Sequence, residues 1–238
     1  MLRALGKAIY PSRCICCGDL VEDEFGLCGR CWKETPFIDG LVCDQCGAPL
    51  PGESDVTVRC DDCLKTARPW ARGRAALLYQ DNGRKFVLGL KNGQRHDLAI
   101  PCAIWMVRAG KPLVSPDMLA TPMPLHWSRL LRRRFNQSAR LGERIARELQ
   151  LDWLPDALSR GKSTRELDGL SREDRFRTLS QAIQPSKKRQ SQLVGRKVLL
   201  IDDVMTTGAS LGAATDALLA GGAQEVCVLV LARVAKAS

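Results

Sequence analysis

The sequence has no run approaching the 18 or so consecutive apolar residues that a membrane-crossing helix needs. Its opening, MLRALGKAIYPSR, is basic but holds no apolar core and no small-residue cleavage site of the kind a secretory leader carries. Export and stable membrane insertion are therefore not expected, and the chain reads as cytoplasmic. Histidine is nearly missing: His96 and His126 are the only two, which argues against a hydrolase triad. Aromatic residues make up 5% of the chain, too few for an extended platform on which bases stack. No glycine-rich run is followed by Lys, so a P-loop is excluded.

What remains is a chain of 238 residues, 45% hydrophobic and 26% charged, which suits one domain of ordinary size with a small appendage, or one large domain. Cysteine is the abundant oddity. Nine of eleven lie between Cys14 and Cys63, as four C-x2-C pairs and a spare thiol at Cys16. Two close thiolates grip one side of a tetrahedral ion and a second pair closes the other. Gly18 and Gly47 follow the second cysteine of their pairs, where a knuckle turn needs a residue without a side chain. The simplest assignment is two structural zinc sites, Cys14, Cys17, Cys28 and Cys31, then Cys43, Cys46, Cys60 and Cys63. An interleaved pairing stays open, as does a substitution by Cys16. Disulfides fit a reducing compartment badly, and the paired spacing differs from a ferredoxin run. No ligand is left over to open a coordination position, so neither ion is expected to hydrolyse anything. Cys102 and Cys227 stand in apolar surroundings and read as small buried residues.

The formal charge is +10, unevenly spread. Residues 1–68 carry eight Lys or Arg against eleven Asp or Glu, and residues 69–238 carry twenty-eight against fifteen. The densest basic run is Arg129, Arg132, Arg133, Arg134, Arg140, Arg144 and Arg147. An anionic partner follows, either nucleic acid or a phosphate-rich small molecule.

Past Pro69 the pattern changes from cysteine pairs to strands alternating with helices, so the expected domains are 1–68 and 69–238. Strands are expected at Ala75–Tyr79, Asp117–Thr121, Lys197–Ile201 and Val226–Leu231. Helices are expected at Lys85–Leu90, Leu98–Arg108, after the N-cap Asn136, and at Leu211–Leu219, the last ended by Gly221 and Gly222. Trp105 reads as core packing in its helix, and Trp127 as either packing or a lid contact. Such alternation implies an α/β fold with a mainly parallel sheet and helices on both faces. Segment 158–195 is polar and weakly periodic, an insertion or hood outside the core.

The stretch richest in chemistry is Val198–Ser210, where an apolar strand is expected to end at Asp202 and Asp203 before a Thr206-Thr207-Gly208-Ala209-Ser210 loop opens a helix. Ligands bind beyond the C-terminal ends of strands in open α/β sheets. Amides around a tight glycine turn converge on a phosphate, and the helix N-terminus reinforces them. Adjacent carboxylates suit the same ligand if it also presents vicinal hydroxyls, as a ribose phosphate does.

This loop resembles the signature of type I phosphoribosyltransferases, and the whole chain resembles the competence protein ComF family, in which a double zinc ribbon precedes such a domain. Further matches are Lys85-Phe86, Lys91, the Pro122-Met-Pro-Leu-His126 loop and Phe135-Asn136-Gln137. The resemblance implies that Asp202 and Asp203 hold the ribose hydroxyls and Thr206–Ser210 the 5-phosphate of phosphoribosyl pyrophosphate. Pro124, Leu125, His126 and Arg129 would then face the pyrophosphate with Mg²⁺, Lys91 would be a further ligand-binding residue, and Asp202, Asp203 and Arg129 would be the catalytic residues of phosphoribosyl transfer to an acceptor. It equally implies a non-catalytic DNA-uptake or processing factor that binds single-stranded DNA and a DNA translocase. Arg134 stands where the family usually has glycine, and Thr164, Leu167, Arg175 and Thr178 depart from its hood motif.

Overall fold

Two long apolar runs organise the molecule. Lys197–Met205 (β6) and Glu225–Arg233 (β7) bury most of their side chains on both faces, as central strands of a parallel sheet must. A computed structural model describes residues 11–91, 95–125, 136–160 and 182–234. Within it, β1 (Arg72–Leu78), β2 (Met118–Pro122) and β3 (Asp152–Trp153) join β6 and β7 in one five-stranded sheet of order β1-β7-β6-β2-β3, parallel throughout.

Helices cover both faces. Leu199 and Ile201 pack with α3 (Asp81–Lys91), α4 (Ala99–Gly110) and α5 (Gln137–Glu148), while Val198 and Leu200 pack with α7 (Ala209–Ala220). Alternation along β6 sends neighbouring residues to opposite faces, so one strand feeds two cores. The helices begin and end where their residues dictate. Pro101 sits in the first turn of α4, the Asn136 side chain caps α5 by accepting from the Ser138 N–H at 3.1 Å, and α7 stops at Gly221. Cys102 and Cys227 are fully buried, as expected of small apolar residues. Trp105 packs its ring against Phe86 and Phe37, with centroids 5.3 and 5.2 Å away.

Two features differ from the sequence reading. β6 does not end at the aspartates; it runs on to Met205, because β7 is equally long and offers Val230, Ala232 and Arg233 as partners for Asp202, Val204 and Met205. Segment 158–195 also reaches the core. The β4 (Leu158–Arg160) and β5 (Ile183–Pro185) strands pair antiparallel, and Leu158, Ile183 and Leu193, the last of these in the short helix α6 (Gln190–Leu193), are buried against the α7 side of the sheet. The polar residues between those strands hide this from any periodicity test; residues 161–181 lie outside the described residues.

The cysteine-rich segment holds two short helices, α1 (Gly29–Lys33) and α2 (Asp61–Lys65), each starting beside a cysteine pair. Between them, Pro36–Ile38 runs along the outer edge of β1: Phe37 bridges Leu77, Leu78 N–H donates to Pro36 O at 2.9 Å, and Ile38 N–H to Ala76 O at 3.0 Å. That pairing covers a strand edge that would otherwise be open to another chain. No helix among the described residues is long and apolar enough to cross a membrane.

Candidate functional site

The sulfurs resolve the pairing that spacing left open. Cys14, Cys17, Cys28 and Cys31 form one cluster, and Cys43, Cys46, Cys60 and Cys63 another, each with ligand atoms within 4.8 Å of one another. All eleven cysteines are free of disulfides. The Cys17–Cys28 and Cys46–Cys60 sulfurs are 3.6 Å apart, close to the roughly 3.8 Å edge of a tetrahedron built on Zn–S bonds of about 2.3 Å. Each knuckle closes on a left-handed glycine, Gly18 at φ 84° and Gly47 at φ 69°. Cys16 stays outside the first cluster; its thiol donates to Asn82 Oδ1 at 3.3 Å.

The acidities fit a bound dication. A hydrogen bond from Cys46 brings Cys43 down to about 4, while that same contact and burial drive Cys46 far above its ordinary range. At Cys14 burial opposes ionisation, but the amides of Cys17, Cys28 and Cys16 outweigh it and bring the thiol to about 6. One thiolate thus suppresses the next, and four together need a cation among them. An S4 set of this geometry fits structural zinc.

The second centre lies at the C-terminal end of β6. Asp202 Oδ1 accepts from the Ser138 hydroxyl at 2.9 Å and from the Asp203 N–H at 2.9 Å. Burial, followed by the charge of Asp203, raises Asp202 to about 7 against these donors and Lys91. Asp203, 8% exposed, pairs with Lys91 Nζ at 3.3 Å. Lys91 closes α3, and its carbonyl accepts from Gln137 Nε2 at 3.2 Å. Asn136 Nδ2 donates to Met123 O at 3.1 Å, which ties the Pro122–Leu125 segment to the same helix start. Pro124 is buried and Leu125 half-buried here. Strands, α3 and α5 therefore bring Lys91, Ser138, Asp202 and Asp203 together from three separate stretches of chain.

Thr206 and Thr207 follow, exposed, and Gly208 turns the chain at φ 82° into α7, flanked by half-buried Ala209 and Ser210. Thr207 Oγ1 accepts from the Ala209 N–H at 3.4 Å. His126, Trp127, Arg129 and Arg132–Phe135 lie outside the described residues. On α5, Arg140 and Arg147 are exposed opposite the apolar stripe, and Arg144 pairs with Glu148 at 3.5 Å. Sequence reading missed Ser138, whose only signal is its place two residues after a helix cap. It also missed Arg68, Trp70 and Arg233, which pack beneath the Thr206–Gly208 loop.

Comparison with known proteins accords with both halves. Residues 5–64 match the double zinc ribbon domain, and residues 136–238 the phosphoribosyl transferase domain. The DNA utilization protein YhgH of Salmonella typhimurium is 30% identical over 230 residues, covering 94% of this chain and 97% of that one. The chain belongs to the ComF/YhgH family. Its Escherichia coli K12 relative of the same name is 29% identical at the same coverage. Competence protein F of Haemophilus influenzae is 28% identical over 246 residues, covering 94% and 98%. This membership carries an α/β fold of the phosphoribosyltransferase kind with an N-terminal double zinc-binding module.

Proposed function

We propose that this ComF/YhgH protein is a DNA-uptake or processing factor that binds single-stranded DNA and works with a translocase. Near-full-length likeness to a protein named for DNA utilization carries the reading. The charge supports it: the surplus of cations lies outside the cysteine-rich segment, and α5 presents Arg140 and Arg147 to solvent. In this reading residues 1–68 are the partner-recruiting ribbon and 69–238 the nucleic-acid-handling domain. Binding of a labelled oligothymidylate is the test. Affinity should fall steeply with salt, the log–log slope losing about 0.7 for each phosphate contact removed, as in Arg140→Gln/Arg147→Gln. Absent or salt-insensitive binding would sink it.

A second reading is favoured by the site at the end of β6. Adjacent carboxylates beside a glycine-turned, amide-lined loop suit a ribose phosphate, with Asp202 and Asp203 toward the hydroxyls and Thr206–Ser210 toward the 5-phosphate. Pro124, Leu125, His126 and Arg129 would then serve a pyrophosphate, with Lys91 a further ligand-binding residue. Mg²⁺, bound with phosphoribosyl pyrophosphate, would offset charge on the leaving pyrophosphate. Transfer would form a bond from an incoming nitrogen to the anomeric carbon as the bond to pyrophosphate breaks, with no protein nucleophile. Ser138 and Lys91 engage Oδ1 of Asp202 and Oδ1 of Asp203, and the remaining lone pairs of each carboxylate would accept from the diol. Titration calorimetry with phosphoribosyl pyrophosphate and Mg²⁺ tests binding. Pyrophosphate release lost in Asp202→Asn/Asp203→Asn tests transfer, and unchanged affinity in that variant would remove the ribose role.

A further inference from the structure

The ribbon's second cluster does not stand apart from the Thr206–Gly208 loop. Its knuckle lies on β1: Gly73 N–H donates to Asp44 O at 2.9 Å, and the Asp44 carboxylate holds Arg72 and Arg74 at 3.2 and 2.8 Å. From this mount Trp70, 1% exposed, donates its indole N–H to Gln45 O between two cluster cysteines, at 2.6 Å. The far edge of the same ring lies under Gly208, where a Cβ would come within 2.8 Å of it. Arg68 stacks over Trp70 at 5.6 Å and donates to Thr207 O. Arg233, 4% exposed at the end of β7, donates to Met205 O at 3.3 Å and to Thr206 O.

Two guanidiniums therefore hold three successive carbonyls. In a planar trans peptide the C=O and the following N–H point opposite ways. Gripping Thr206 O turns the Thr207 N–H outward, and gripping Thr207 O does the same for the Gly208 N–H. Neither amide has a hydrogen-bond partner among the described residues. Outward amides on a left-handed turn before a helix form an anion-binding concavity.

We propose that Arg68 and Arg233 are positioning residues for this anion loop, and that the Cys43–Cys46–Cys60–Cys63 cluster is the support that fixes Arg68 and Trp70 beneath it. The ribbon is then part of the ligand site. The anion is a phosphate monoester; naming it a sugar phosphate rests on the ribose reading above. Loss of the second ion, or of Arg68, loosens the loop while leaving the sheet folded.

The Gly212 and Val234 amides report the loop directly, since they donate to Gly208 O and Met205 O at 2.8 and 2.9 Å. Hydrogen exchange of these two amides in the zinc-loaded full chain is the experiment. Arg68→Ala, which keeps all eight ligand cysteines, should speed exchange about tenfold, and Cys60→Ser/Cys63→Ser at least as much. Arg95→Ala is the control: it removes the bond to Ile15 O at 2.8 Å that anchors the first knuckle and should leave both amides within twofold. Ribose 5-phosphate affinity, measured by calorimetry, should drop about tenfold in Arg68→Ala and partly recover in Arg68→Lys. Exchange unchanged in Arg68→Ala, or accelerated equally in Arg95→Ala, overturns the proposal. Accelerated exchange in a chain that never binds ribose 5-phosphate upholds the positioning role and removes only the sugar-phosphate reading.

Discussion

Lys91 Nζ lies 3.3 Å from Asp203 Oδ1, joining the end of α3 to the central strand β6 two residues before that strand ends, with both side chains largely out of water. A carboxylate so placed costs free energy once its cation is gone. Lys91→Met should destabilise the fold by about 1–2 kcal/mol, discounted for partial exposure. Asp203→Asn in the same background should recover part of that loss. Urea denaturation of the double-mutant cycle measures the coupling, and strictly additive effects would show that the pair contributes nothing.

Asp202, raised to about 7 by burial and by Asp203, makes stability depend on pH. An acid with a raised folded-state pKa binds more protons folded than unfolded between about 4 and 7. Stability therefore falls as pH rises through that window and levels off above it. Relative to Asp202→Asn, the wild type should lose on the order of 2 kcal/mol between pH 4 and pH 8. Ser138→Ala removes a donor to the charged form and should move the midpoint higher. Identical pH slopes for wild type and Asp202→Asn would contradict the assignment.

Metal removal should act on one part of the chain. The cysteine-rich segment has two short helices and little apolar core of its own, so its ions supply much of its folding energy. A strong chelator should release zinc from both four-sulfur clusters, counted colorimetrically, and remove the far-UV signal of that segment while the sheet persists. A spectrum unchanged after complete metal loss would sink this expectation.

Gly208 is required twice over, by its φ of 82° and by the Trp70 ring that a Cβ would strike. Gly208→Ala should cost about 2 kcal/mol or more. In a Trp70→Leu background the steric part should disappear and the backbone part remain. Thermal or urea unfolding of the four variants separates the two, and a full cost in both backgrounds would show that the ring plays no part.

Much of this architecture was readable from local chemistry. The apolar runs at β6 and β7 read as buried strands, Asn136 as a helix start, and four C-x2-C pairs, two of them followed by glycine, as metal knuckles. The apolar run Lys197–Ile201 predicts a strand that ends at Asp202 and Asp203, but β6 continues through both. The partner strand β7 decided otherwise by supplying three further residues of ladder. Segment 158–195 differs too: Ile183 and Leu193 lie in the core although the stretch as a whole is polar.

The sequence by itself determined the parallel α/β fold, the eight ligand cysteines and the carboxylate–glycine loop, because those features depend on residues a few positions apart. Which cysteines share an ion, which strand edge Phe37 covers, and the fact that Arg68, Trp70 and Arg233 meet under Gly208 were decided only in three dimensions. Such contacts join residues far apart in the chain, and their free energy appears only after packing has excluded water between them.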